Sequence, residues 1–187
     1  AEDHPARWLP GVGVAYFLAK ALLKGQGREA EAEKLLDLVA LGIIADAVLL
    51  RGENRYLAQR GIPLIREGKN PGIKALMDVA GIDPKYLTEE DIGFQLSPRL
   101  NAAGRMADAG IAVELLLSED ASRAAALAKR LDELNEERRC LADSMLEEAE
   151  ALVEDGEGAA ILLFKAHWHQ GIIGITAGRL CEKYRVP

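Results

Sequence analysis

The chain has 187 residues, 49% of them hydrophobic, with a net charge of −7 and a sequence pI of about 5.1. That much apolar material supports a packed core and excludes wholesale disorder, and the length suits one or two domains. The acidic balance excludes a generic basic surface for nucleic acid, so a polyanion has to be held by a local cluster of arginines or through metal ions. Cys140 and Cys181 lie far apart with no metal-type spacing, which reads as two reduced thiols. No apolar run approaches the ~20 residues of a membrane helix. The polar, acidic opening AEDHPARWLPG has no secretory character, so a cytoplasmic location without a membrane partner is expected. The start without Met at Ala1 and the stop at Pro187 after an apolar run suggest an excerpt of a longer protein.

Gly11 to Leu23 reads as an apolar helix, with Pro10 and Gly11 suited to its start. Gly11 and Gly13 form a G-x-G, but no strand precedes it, so close helix packing is the better reading than dinucleotide binding. A second helix is expected from Glu29 to about Ala47, polar at first and then wholly apolar through LVALGIIA, so its second half should be deeply buried. Asp46 falls in that apolar part. A carboxylate there is costly unless paired or bound to a cation. It either caps the next turn, pairs with Arg51 or Arg55, or ligates a hard cation such as Mg²⁺ or Mn²⁺.

GENRYLAQRGIPLIREG continues as helix, with Leu57, Ile62, Leu64 and Ile65 for the core and Asn54 and Arg55 expected at the surface. In NPGIKALMDVAGI, Asn70 is an N-cap candidate, Pro71 takes the first position and Gly81 stops the helix. Thr88, Glu90 and Asp91 open a short helix. Next comes IGFQLSPRLNAAGRM, residues 92–106. Ser97-Pro98 disfavours continuing a helix through Ser97, and Arg99 and Arg105 carry planar forks suited to phosphate. The plain alternative is a helix-to-helix turn with solvated charges. Asp108 to Leu117 is again helical.

The longest helix should run from about Ala121 to Val153, capped by Asp120, over roughly 50 Å. Leu127, Leu131, Leu134, Leu141, Met145 and Leu152 form a narrow stripe that Arg138 and Glu148 interrupt. Broken heptads favour a strut between two domains over a dimer coiled coil, with Arg138 and Arg139 on a solvated face. Glu154 to Gly158 reads as a loop. Ala159 to Ala166, AAILLFKA, is the clearest strand, short and continuously apolar. A glycine-bearing turn and a helix follow, HWHQGIIGITAGRLCEKY. That geometry gathers backbone N–H groups where phosphate can sit, with His169, Gly171, Gly174 and Arg179 as candidates. His169 taken alone is more simply a loop or capping histidine. His167 and His169 lack a third zinc ligand nearby.

Taken together, LPGVGVAYFLAKAL, DLVALGIIADAVLLRGENR, SPRLNAAGRM, LNEERR and HWHQGIIGITAGRL resemble the RecJ family of single-stranded-DNA exonucleases, which are DHH phosphoesterases. The resemblance runs from Leu9 to Pro187. It implies an α/β protein of which this chain is a predominantly α-helical part. Residues 1–119 would be the C-terminal part of a DHH domain, 120–155 a long connector helix, and 156–187 the first strand and helix of a DHH-associated domain.

The resemblance further implies a Mn²⁺ or Mg²⁺ site of two ions. Its ligands would lie mostly upstream in Asp- and His-bearing motifs; the Asp3-His4 pair is not the Asp-His-His triplet, because Pro5 takes the third place. Asp46 would be the one ligand carried here. Arg99, Asn101 and Arg105 would stand at the scissile phosphate, and His169, Gly171, Gly174 and Arg179 would hold the DNA end. Gly178 stands where many members carry Ser, and Gln170 where they often carry Pro.

The implied activity is hydrolysis of single-stranded DNA, 5′ to 3′, in repair and recombination. The implied partners are single-stranded DNA, a single-stranded-DNA-binding protein and a repair helicase, with a monomer as the complete protein. One carboxylate cannot build a two-metal site, so the chain alone should be inactive. Two other readings remain open. One is a DHH phosphoesterase acting on short oligonucleotides or cyclic dinucleotides; the other is a non-catalytic RecJ-like scaffold.

Overall fold

Helical periodicity governs nearly the whole chain. A computed structural model describes residues 5–153 and 159–187. The Asp3-His4 pair and the expected loop at 154–158 lie outside the described residues. The elements are α1 (Gly11–Gly25), α2 (Leu36–Ala45), α3 (Gly52–Glu67), α4 (Pro71–Ala80), α5 (Glu89–Asp91), α6 (Ser97–Met106), α7 (Gly110–Leu117), α8 (Ala121–Glu150) and α9 (Gln170–Tyr184).

The first half of the expected second helix, Glu29–Leu35, is a 3-10 turn rather than an α-helix. The apolar half is α2, with Leu36, Val39, Ala40, Leu41 and Ile43 at most 3% exposed. It crosses α3 at Gly61, where a Cβ would collide with the Leu36 carbonyl; glycine alone permits that approach. Asn54, expected at the surface, is 2% exposed. Its Nδ2 donates to the carbonyls of Trp8 (2.9 Å) and Leu49 (3.3 Å), so it ties two loops to the start of α3. Buried polar groups are kept by such bonds, and helical spacing gives no sign of them.

Local capping chemistry sets the next boundaries. The Asn70 side chain accepts from Ile73 N at 3.1 Å, Pro71 opens α4 and Gly81 closes it at φ +69°. Thr88 and Asp91 form a reciprocal capping box at the start of α5.

Two apolar clusters form the core of the first 135 or so residues. One joins Leu36, Val39, Ile43 and Leu57 around Tyr16. The larger one joins Leu76, Met77, Ile92, Leu96 and Leu115 with Leu127, Leu131 and Leu134 of α8. Asp120 caps α8, its Oδ1 accepting from Ser122 N (2.7 Å) and Arg123 N (3.0 Å). The helix is 30 residues long, or about 45 Å, and ends before Leu152, which is exposed. Its apolar stripe is used within the chain: the first half packs on α4, α6 and α7, the second on α9. Ala142 and Met145 meet Ile172 there in a third, smaller cluster, with Met106 and Trp168 against it.

The expected strand at Ala159 to Ala166 does not form. No strand occurs among the described residues. A strand is defined by its ladder, and the backbone bonds made there are a single contact from Ile161 N to the Pro187 carbonyl at 2.9 Å and a turn from Trp168 N to the Lys165 carbonyl at 3.3 Å. Leu162 is 96% exposed and Phe164 82% exposed. The apolar run that reads as a core strand thus has no sheet to enter among the described residues.

Candidate functional site

The arginine segment folds against the Ser-Pro rule. Ser97 has helical dihedrals (φ −59°, ψ −42°) and the backbone stays helical from Glu89 to Met106. A π turn at Ile92–Leu96 makes this possible: the Ser97 N–H reaches back five residues to the Ile92 carbonyl. The Ser97 hydroxyl donates to the same carbonyl at 2.6 Å. The widened turn accommodates Pro98, whose ring would otherwise clash with the preceding turn and which has no N–H to donate. Such turns recur at functional sites. Ile92, Leu96, Ala102 and Ala103 are fully buried, so the opposite face of the segment looks outward.

The predicted residues fall into two kinds of place. Arg99 faces α8 as a strap: Nε donates to Asp132 Oδ1 at 2.8 Å and Nη1 to the Gln95 carbonyl at 2.7 Å, with the side chain 17% exposed. Asn101 and Arg105 are on the outward face. Asn101 has no side-chain partner among the described residues, while Arg105 Nη1 donates to the Gly171 carbonyl at 3.3 Å. That bond joins two of the sequence blocks across 66 positions. The contact is close enough that a Cβ on Gly171 would strike the Arg105 carbonyl, which is a physical reason for glycine there.

At the start of α9, His169 is the N-cap, its Nδ1 accepting from Gly171 N at 3.1 Å. The proton of a neutral imidazole in this role sits on Nε2. Gly174 is exposed, with open space where a side chain would be. Gly178 is open in the same way. Arg179 faces α8 and pairs with Asp143 through Nη1. His167 and Trp168 both bind Glu148 Oε2, at 2.8 and 3.1 Å. Those bonds, Trp168's first, hold the Glu148 carboxyl below its usual range. Glu148 interrupts the apolar stripe because it anchors the approach to α9. The described residues contain no group of three or more potential metal ligands.

Sequence reading missed Arg138. It is half-buried between the two arginine-bearing segments, and burial lowers its pKa from the usual guanidinium range. The charges of Arg105, Arg139 and Arg179 lower it further, against a smaller opposing effect of Asp143. Asn135, 5% exposed, holds it in place, its Oδ1 accepting from Nε (3.3 Å) and Nη2 (3.1 Å). Helices α6, α8 and α9 therefore converge their arginines in a chain whose net charge is −7. Mutually repelling guanidinium groups invite an anion between them. The available signal was Arg138's position inside the apolar stripe; an arginine kept there has a partner to reach.

Asp46 is not buried. Helix α2 ends at Ala45, and Asp46 is its C-cap, exposed to solvent. Ala47 follows at φ +51°, a left-handed conformation costing a non-glycine residue roughly 1–2 kcal/mol. Here the chain turns outward, which carries Asp46 off the apolar face. Its carboxylate forms no ion pair or hydrogen bond among the described residues, so neither Arg51 nor Arg55 neutralises it. Two residues earlier, Ile44 lies 3.6 Å from the Cβ position of Gly93, so the end of α2 abuts the π turn that leads into α6.

No protein-family model matches the chain. It is 42% identical over 202 residues to the single-stranded-DNA-specific exonuclease RecJ of Escherichia coli, covering 99% of this chain and 35% of that protein. The Bacillus subtilis protein of the same name is 43% identical over 186 residues, 98% of this chain and 23% of that one. The chain thus spans about a third or less of the length of these curated relatives. Among solved structures, RecJ of Thermus thermophilus in complex with Mg²⁺ superposes with a TM-score of 0.88 at 35% identity, over 96% of this chain and 28% of that one. A manganese-bound exonuclease RecJ gives 0.85 at 34% identity, over 93% and 44%. Across the part of those proteins that it spans, the chain belongs to the RecJ family.

Proposed function

We propose that this chain is the segment of a single-stranded-DNA exonuclease that contributes one metal-binding carboxylate and the phosphate-gripping face. The observation that carries the reading is the closing of the start of α9 onto Arg105 by the Gly171 contact, which brings two arginine-bearing blocks together beside Arg138, whose guanidinium feels the charges of Arg105 and Arg179. Arg105 and Arg138 hold phosphoryl oxygens by charge-assisted hydrogen bonds. Preorganised donors of this kind stabilise charge that builds up during phosphodiester cleavage. Arg99 positions α6 on α8, and Asn101 offers an amide to the same strand. His169 caps the α9 N-terminus, Gly171 lets that end close on Arg105, and Gly174 leaves the next turn open toward the DNA end.

Asp46 suits Mg²⁺ or Mn²⁺, the ions of the related structures. It is an oxygen donor of the type hard cations take, exposed and without a competing partner. The further ligands belong to other parts of the complete protein. When bound, a pair of such ions activates the attacking water and neutralises the phosphate. By family likeness the strand is consumed 5′ to 3′ in DNA repair and recombination, by a monomer working with a single-stranded-DNA-binding protein and a helicase in the cytoplasm. No described helix is long and apolar enough to cross a membrane. Residues 1–119, 120–155 and 156–187 are then the end of a catalytic domain, its connector and the start of an associated domain.

In the complete protein, Asp46→Ala should lower Mn²⁺-dependent exonuclease activity by orders of magnitude with an unchanged melting temperature. Wild-type turnover by the folded variant rejects the assignment. The 187-residue chain alone should show no turnover on single-stranded DNA, and activity there would overturn the shared-site reading. Preference for dinucleotides over long strands would instead favour a short-oligonucleotide phosphoesterase; strand binding without any turnover by the complete protein would favour a scaffold.

A further inference from the structure

The segment that carries the phosphate-gripping residues also carries an aromatic ring that the described residues leave uncovered. Phe94 sits in the middle of the π turn and is 82% exposed. Ile92 and Leu96, two residues to either side, are fully buried, so Phe94 projects from the opposite face of a well-anchored element. It has no ring neighbour: the aromatic and cation–ring pairs among the described residues involve Tyr16 with Phe17, Arg7 with Trp8, Lys85 with Tyr86 and Lys183 with Tyr184. Exposing a phenylalanine ring to water forgoes on the order of 1.5–3 kcal/mol of burial.

The spacing gives the ring a context. Pro98, Asn101 and Arg105 follow one another at steps of three and four, which is one face of an α-helix, and Phe94 stands in the π turn that leads into it. Phe94, Asn101 and Arg105 are all exposed. From Phe94 to Arg105 the axis covers roughly 16 Å, room for several nucleotides. At one end the face meets the Arg138 cluster. At the other, the π turn lies against the end of α2, just before Asp46. An open aromatic ring in line with phosphate-binding groups is the combination by which single strands are held without regard to sequence.

We propose that Phe94 is a nucleobase-stacking platform: a base of the single strand lies on its ring while the backbone runs along Asn101 and Arg105 toward Arg138. This rests on the single-strand-binding reading above and adds a specificity-determining residue to it. Stacking requires unpaired bases, so the ring would discriminate against duplex, whose bases present no free faces.

The test uses the complete protein and a fluorescein-labelled oligothymidylate, with binding followed by anisotropy. Phe94→Ala should weaken binding about tenfold, within the 1–3 kcal/mol span of such stacks, and leave the slope of log K against log salt unchanged, because no phosphate contact is lost. Arg105→Ala should instead make that slope shallower by about one contact. Phe94→Trp should keep the affinity, and its indole emission should be quenched on binding relative to the same titration of the wild-type protein. Three results would each overturn the platform alone: wild-type affinity in Phe94→Ala, indole emission of Phe94→Trp that does not change on binding, or full recovery by Phe94→Leu, which packs as well but cannot stack. Failure of the wild-type protein to bind the strand at all would instead sink the reading on which the proposal rests.

Discussion

The chain up to the middle of α8 and the chain beyond it are built to different standards. In the first region two clusters bury large side chains completely, among them Leu36, Ile43, Leu57, Ile73, Leu76 and Leu131. In the second, α9 rests on α8 through Ala142, Met145 and Ile172, with Met106, Trp168 and Ile175 partly covering them. The basic site lies along the seam. Its Arg105 and Arg138 stand on helices rooted in the large core, and Arg179 stands on the lightly held α9. The comparison teaches that two of the three arginines share the frame of the large core while the third is carried by a lightly held helix.

The largest effect should come from the first region. Leu76→Ala removes a fully buried side chain and should cost about 2–5 kcal/mol, read as a lower urea midpoint for the whole cooperative transition. If the midpoint holds, the two regions are not as unequal as their packing implies. A smaller and local effect should follow at the seam. Gly171→Val forces a side chain into the Arg105 carbonyl, at roughly 1–3 kcal/mol of overpacking. Amide hydrogen exchange should accelerate in α9 while α2 and α4 stay protected, and strand affinity should fall. Uniform acceleration would show that the seam does not divide the chain.

The smallest effect is a pH dependence confined to the first region. The backbone N–H of Thr88, then its hydroxyl and less so Gln95, hold the Asp91 carboxyl below its ordinary range. A depressed carboxyl stabilises the fold above the unfolded-state pKa of about 3.9. That contribution is lost as pH falls through the lower folded-state value. The urea midpoints of wild type and Asp91→Asn should therefore differ at about pH 6 and converge toward about pH 2; a gap that widens in acid would contradict the capping account.

Much of the fold is legible in sequence where the causes are local. Asn70, Pro71 and Gly81 mark α4, and Asp120 marks the start of α8, because each cap is chemistry within a few residues. The Ala159–Ala166 run misleads because a strand exists by virtue of a neighbour, and apolar composition cannot supply one. Ser97-Pro98 misleads because a π turn relieves the clash that the dipeptide rule assumes. Of the candidate site, the two arginine-bearing blocks are visible as motifs, but the Arg105–Gly171 bond that joins them is not. Arg138 escapes notice for the same reason, since its companions lie on other helices. Asp46 reads as buried because hydropathy averages over a window, whereas one left-handed residue, Ala47, turns the chain out of the core.

Helix α8 contains neither glycine nor proline from Ala121 to Glu150, so it bends only gently. Arg138 is consequently fixed in the same frame as Arg105, whatever the C-terminal segment does. Only Arg179, carried by α9, can travel relative to them. The arginine group thus works as a calliper with one fixed jaw: a change in its gauge is a change in the seating of α9, and a spectroscopic ruler laid from α6 to α9 would read it directly.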